Sequence, residues 1–134
     1  MQLSIVWLRT AVACGTLALG GGLAGAQDLC GRPREAPDAL LQRLTKTEKL
    51  TESGRDAGYV TLIDKENGIL WSFTRAGHPA HPSVVCRQPV ETDGKVTIDM
   101  AIQCEASDDS CAELAGAFES LNQKMIEDAL RQAK

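Results

Sequence analysis

Two runs, Tyr59-Val60-Thr61-Leu62-Ile63 and Ile69-Leu70-Trp71-Ser72-Phe73-Thr74, decide the fold, with Asp64-Lys65-Glu66-Asn67-Gly68 between them. Both are rich in β-branched and aromatic residues, which suit the pleated, half-buried surface of a strand. Asn67-Gly68 is a turn former, so the runs read as a hairpin. Alternation puts Ile69, Trp71 and Phe73 on one face of the second strand.

Working outward, the proline-rich loop Gly77-His78-Pro79-Ala80-His81-Pro82 leads into a third strand, Val84 to Gln88. Glu91-Thr92-Asp93-Gly94 turns the chain into a fourth. There Val96, Ile98, Met100, Ile102 and Cys104 face one way, and Lys95, Thr97, Asp99 and Gln103 the other, giving one core side and one water side. Ser110 and Glu113 form a capping box opening a helix to about Gln132, with Leu114, Phe118, Leu121, Met125 and Ala129 as its buried stripe. Upstream, Thr51 to Gly58 reads as a polar loop. Asp38 caps a short helix to about Lys49 that carries Leu40, Leu41 and Leu44. Residues 27–37, with Cys30, Gly31, Pro33 and Pro37, read as an extended arm. The expectation is a single α+β domain over residues 38–134: a four-stranded antiparallel meander with both helices packed on one face.

The first 26 residues have the parts of a cleavable signal peptide. Arg9 supplies the positive charge, Ala11 to Leu19 the apolar stretch, and Ala24-Gly25-Ala26 the small-x-small cleavage site. The stretch is short and glycine-rich against the ~20 apolar residues of a membrane span, so no stable anchor is expected after cleavage. Arg9 is the one basic residue removed, leaving 13 basic against 18 acidic side chains, a net charge of −5. That balance excludes nucleic acid as the expected partner, because phosphate neutralisation needs a basic face.

Cys14 leaves with the signal, and the even set Cys30, Cys86, Cys104 and Cys111 remains. In an exported chain this reads as two disulfides. If the third and fourth strands pair through the turn at Thr92 and Asp93, paired residue numbers sum to about 185–187. Cys86 and Cys104 then lie roughly 10 Å or more apart along the ladder, too far for a disulfide. The expected pairs are Cys104–Cys111, across a strand-to-helix loop, and Cys30–Cys86, tying the arm to the sheet.

Catalytic signatures are thin. His78 and His81 are the only histidines, spaced His-x-x-His in a loop stiffened by Pro79 and Pro82. They are the candidate ligands of a divalent metal ion, although a structural zinc site wants four ligands and the thiols are expected in disulfides. Ser72 and Ser83 lie near them, and Asp64 or Asp99 are candidate orienting carboxylates. No nucleophile elbow, Cys-x-x-Cys or phosphate loop accompanies them. Trp71 and Phe73 are core residues if their face is buried and a recognition patch if it is not. Arg75 and Arg87 flank the same segment and are candidates for holding an anionic group; the plainer alternative is protection of a sheet edge.

The segment from Trp71 to Arg87, Trp-Ser-Phe-Thr-Arg-Ala-Gly-His-Pro-Ala-His-Pro-Ser-Val-Val-Cys-Arg, resembles that of a group of small secreted proteobacterial proteins. The resemblance extends weakly to the last helix through Cys104 and Cys111. It implies a Gram-negative envelope location and carries no catalytic residues. The expected function is therefore a periplasmic or secreted, non-enzymatic domain. It would bind a protein or small ligand of the cell envelope, without a cofactor, through Trp71, Phe73, Arg75, His78, His81 and Arg87. The alternatives are a metal-binding protein using His78 and His81, and a small hydrolase or lyase with a histidine–carboxylate pair.

Overall fold

The computed structural model describes residues 28–134, so the expected signal peptide lies outside the described residues. The domain is α+β, but its antiparallel sheet has five strands, not four. They are β1 Thr51–Arg55, β2 Tyr59–Asp64, β3 Ile69–Thr74, β4 Ser83–Thr92 and β5 Lys95–Cys104, in the spatial order β1-β2-β3-β4-β5. The extra strand is the stretch read as a polar loop. All five residues of β1 are exposed, and its register shifts between Glu52 and Gly54. Its pairing with β2 is held by backbone ladder bonds, not by burial.

The central hairpin forms as expected, with Tyr59 opposite Thr74 and Asp64 opposite Ile69. Gly68 takes a φ of +66°, and Asp64 accepts hydrogen bonds from the Asn67 backbone and side-chain N–H groups. In the second hairpin Asp93 and Gly94 both adopt positive φ, 54° and 76°, the geometry of a two-residue turn matched to strand twist. Pairs run from Ser83–Cys104 to Thr92–Lys95, so residue numbers sum to 187 throughout. Cys86 faces Ala101. Both disulfides are those expected, Cys30–Cys86 and Cys104–Cys111.

The helices do not share a face. Helix α1 (Pro37–Gln42) continues into a π-helical turn, Arg43–Thr47. Its Leu40 and Leu44, with Leu29 of the arm, pack on Val60, Leu62, Ile69, Trp71, Phe73, Val84 and Cys86. Helix α2 (Asp108–Gln132) packs Leu114 and Phe118 on Val85 and Ala80, beside Tyr59, Met100, Ile102 and Cys104. These are the opposite sets of alternating strand positions, so the sheet is sandwiched between the helices. The physical reason is that β3 and β4 bury residues on both faces, and one helix covers only one.

Four local expectations are also revised. The arm is not simply extended: Leu29 and Arg32 exchange backbone hydrogen bonds across a turn at Cys30 and Gly31, with φ of 47° and 81°. Helix α1 starts on Pro37 with no side-chain cap, so Asp38 lies inside its first turn. Ser107, not Ser110, caps α2, its hydroxyl accepting the Ser110 N–H at 3.2 Å. Along α2, Asn122 takes the buried place on the stripe and Leu121 is 41% exposed.

Candidate functional site

Trp71 and Phe73 are 0% and 2% exposed in the α1-side core, so neither is a recognition surface. The arm and α1 lie over them, drawn down by the Cys30–Cys86 bridge, and the Arg32 guanidinium sits 5.8 Å from the Trp71 ring.

Both histidines are hydrogen-bonded within the fold. Ala80 N–H donates to His78 Nδ1 at 3.0 Å, which leaves the neutral ring its proton on Nε2. Nε2 lies 2.9 Å from the Tyr59 hydroxyl and therefore donates to it. His81 Nδ1 donates to the Thr74 carbonyl at 2.9 Å. Both nitrogens of His78 are engaged, and no group of three or more His, Cys, Asp or Glu converges among the described residues. Every described cysteine is in a disulfide. A pocket of about 210 Å³ does bring His78 and Glu113 onto shared walls, but the hydrogen-bond partners of His78 are Tyr59 and Ala80. Asp64, an expected orienting carboxylate, is occupied by the Asn67 turn instead.

Arg87 behaves differently from all of these. It lies on β4 one residue after Cys86, so alternation aims it at α2. It is only 6% exposed. Its guanidinium carbon is 5.1 Å from the centre of the Phe118 ring, and Nη1 reaches Asn122 Oδ1 at 3.4 Å and Met125 Sδ at 3.2 Å. Nε has no hydrogen-bond partner among the described residues. Among the described residues no carboxylate lies within 4 Å of it. Burial pushes the Arg87 pKa below its ordinary value, but a guanidinium stays charged at neutral pH.

That charge lines a groove of about 300 Å³ between α2 and the sheet, together with Tyr59, Thr61, Ser72, Ala117, Phe118, Leu121 and Asp56. The sheet register builds its floor. Thr61 pairs with Ser72, Ser72 with Val85 and Leu70 with Arg87. Two hydroxyls from β2 and β3 therefore stand beside the guanidinium from β4, with no side-chain hydrogen bond to either among the described residues. Tyr59 closes one end, its hydroxyl oxygen accepting from His78 and its own proton left to donate. Burial, and secondarily Asp56, hold its pKa above the ordinary value, so it remains a donor. Exposed Arg75 stands outside, its Nη1 donating to the Asp56 carbonyl.

Of the residues picked from sequence, Arg87 and Ser72 enter this groove, His78 buttresses it through Tyr59, and Arg75 touches its rim. His81, Trp71 and Phe73 do not reach it. Tyr59, Thr61 and Phe118 were not anticipated as site residues. The signal for Thr61 was available in the hairpin register, which sets it opposite Ser72; Phe118 becomes a wall only because α2 lies on that face. No family model matches this chain, and no curated protein or solved structure does so either.

Proposed function

We propose that this is an exported, periplasmic binding domain without catalytic chemistry, and that it takes a small ligand bearing a carboxylate into the groove under α2. One observation carries the reading: a guanidinium more than nine-tenths buried that, among the described residues, has no counter-charge and no partner for Nε, lining an open groove. Burying an unpaired charge is expensive, and a bidentate carboxylate is the partner whose geometry best matches a guanidinium fork. The Thr61 and Ser72 hydroxyls add donors at the same place. The groove lies within the expected recognition segment but on its other face, at Ser72 and Arg87 in place of Trp71 and Phe73. Both disulfides assign folding to an oxidising compartment, and among the described residues no helix is long and apolar enough to cross a membrane. A periplasmic address is consistent with both.

The test is titration of the folded domain with hexanoate, followed by backbone amide shifts. The expected result is saturable shifts clustered at residues 59–61, 70–72, 85–88 and 117–122, lost in Arg87→Met. Shifts scattered over the surface, or unchanged by that substitution, would refute the reading.

A further inference from the structure

The groove is charged at both ends, with opposite signs. Arg87 stands at one end. At the other, the Asp56 side chain lines the rim. Its Oδ1 accepts the Gly58 and Tyr59 N–H groups at 2.7 and 2.8 Å, while Oδ2 has no partner among the described residues. Those two backbone donors, the Gly58 N–H first, pull the Asp56 pKa below its ordinary value. Arg75 is spent on the Asp56 backbone carbonyl and makes no ion pair with the carboxylate among the described residues.

Resting on the groove reading above, we propose that the occupant is a zwitterion the size of a di- or tripeptide with free termini. Its carboxylate would lie against Arg87 and its ammonium against Asp56. The separation of the two charges sets the length. Along β2, the level of Arg87 (Ile63, beside Leu70) lies four residues from Tyr59, about 14 Å at ~3.4 Å per residue. The Arg87 side chain runs back toward Phe118, whose ring stands 5.6 Å from that of Tyr59. The contacts leading from the guanidinium through Phe118 and Tyr59 to Asp56 bring the two charges to a separation on the order of 10 Å, which a zwitterion of two to three residues lying alongside both groups reaches. Between them, the Thr61 and Ser72 hydroxyls are placed to meet peptide groups, and exposed Leu121 offers an apolar wall to a side chain. Overall charge favours the same class. The protein is acidic, with a formal net charge of −4 for the whole chain. A net anion approaches against that field and a zwitterion does not.

The experiment compares three probes by calorimetry and amide shifts on the oxidised domain: triglycine, N-acetyl-triglycine and triglycine amide. Triglycine is expected to bind about two- to fivefold more tightly than N-acetyl-triglycine, the size of one exposed ion pair, and to lose most of its binding as the amide. Asp56→Asn keeps an oxygen for the two backbone N–H groups and should erase the preference over the acetylated peptide. Arg87→Met should remove binding of triglycine and N-acetyl-triglycine, the two probes that carry a carboxylate, and leave triglycine amide as weak as before. If N-acetyl-triglycine binds as well as triglycine, and both need Arg87, the zwitterion assignment is overturned while the carboxylate groove stands. If hexanoate binds through Arg87 and no peptide does, the outcome is the same. If neither peptides nor hexanoate bind, both readings fall together.

Discussion

Replacing Arg87 with methionine should make the ligand-free domain more stable. A buried ion retains a desolvation penalty of several kcal/mol even after relaxation. Against it stand the contact with Phe118, worth about 0.5–2 kcal/mol, and two weak hydrogen bonds. Those bonds, to Asn122 at 3.4 Å and to the Met125 thioether at 3.2 Å, contribute at most about 1 kcal/mol each. Methionine keeps the length and the packing on Phe118 but leaves Asn122 Oδ1 unpaired, which costs roughly 1 kcal/mol. The balance is a net gain of about 1 kcal/mol, or a rise in Tm of about 4–8 °C for a domain of this size. Urea and thermal unfolding of oxidised wild type, R87M and R87M/N122L would measure it, the double variant gaining most because its leftover acceptor is gone. A loss of more than about 1 kcal/mol in both variants would mean that Phe118 and Asn122 satisfy the guanidinium, and that it waits for no ligand.

Other perturbations have definite expected outcomes. Cys30–Cys86 spans 56 residues and Cys104–Cys111 spans 7. By loop-closure entropy, serine pairs should lose about 4 and about 2 kcal/mol respectively, checked by chemical denaturation of each double variant. Ser107→Ala should cost about 1 kcal/mol as the loss of the true cap of α2; a larger effect from Ser110→Ala would restore the capping box read from sequence. Glu48 accepts from Arg32 at 2.6 Å, and that bond first, then the charges of Arg32 and Arg43, lowers its pKa. A depressed folded value means the stabilisation is fully present above the ordinary glutamate pKa of ~4.3 and is lost as pH falls through the folded value. Glu48→Gln should therefore flatten the stability profile below about pH 4, read from urea midpoints between pH 3 and 7.

The strands that bury side chains were legible in the sequence because alternation and turn chemistry agree there. The Thr92–Lys95 turn fixes one register, and that register alone separates Cys86 from Cys104 and leads to both disulfides. Thr51–Arg55 was not legible as a strand. It buries nothing, so no apolar period marks it, and only the ladder to β2 reveals it. The placement of the helices on opposite faces was hidden for a related reason: Tyr59, Thr61 and Ser72 look like solvent-facing residues until α2 is laid over them. Arg87 could be named as an anion holder from sequence. Its burial could not, since it depends on Phe118 and Asn122 arriving from 31 and 35 residues downstream. Leu121 was expected on the buried stripe of α2; its exposure is part of what leaves the groove open.

The covalent tie at Cys86 reaches beyond the face on which it sits. Cys86 and Arg87 are consecutive on the middle strand of β3-β4-β5, one bolted to the arm and the other pointing to the opposite side. The amides beneath the guanidinium thus belong to the segment with hydrogen-bonded neighbours on both edges, where deuterium uptake should be slowest. Strand β1 and the tip at Asp93-Gly94 have no such support and should exchange first. A guest molecule entering the open groove would then meet a pedestal that stays shut to solvent while the sheet edges exchange.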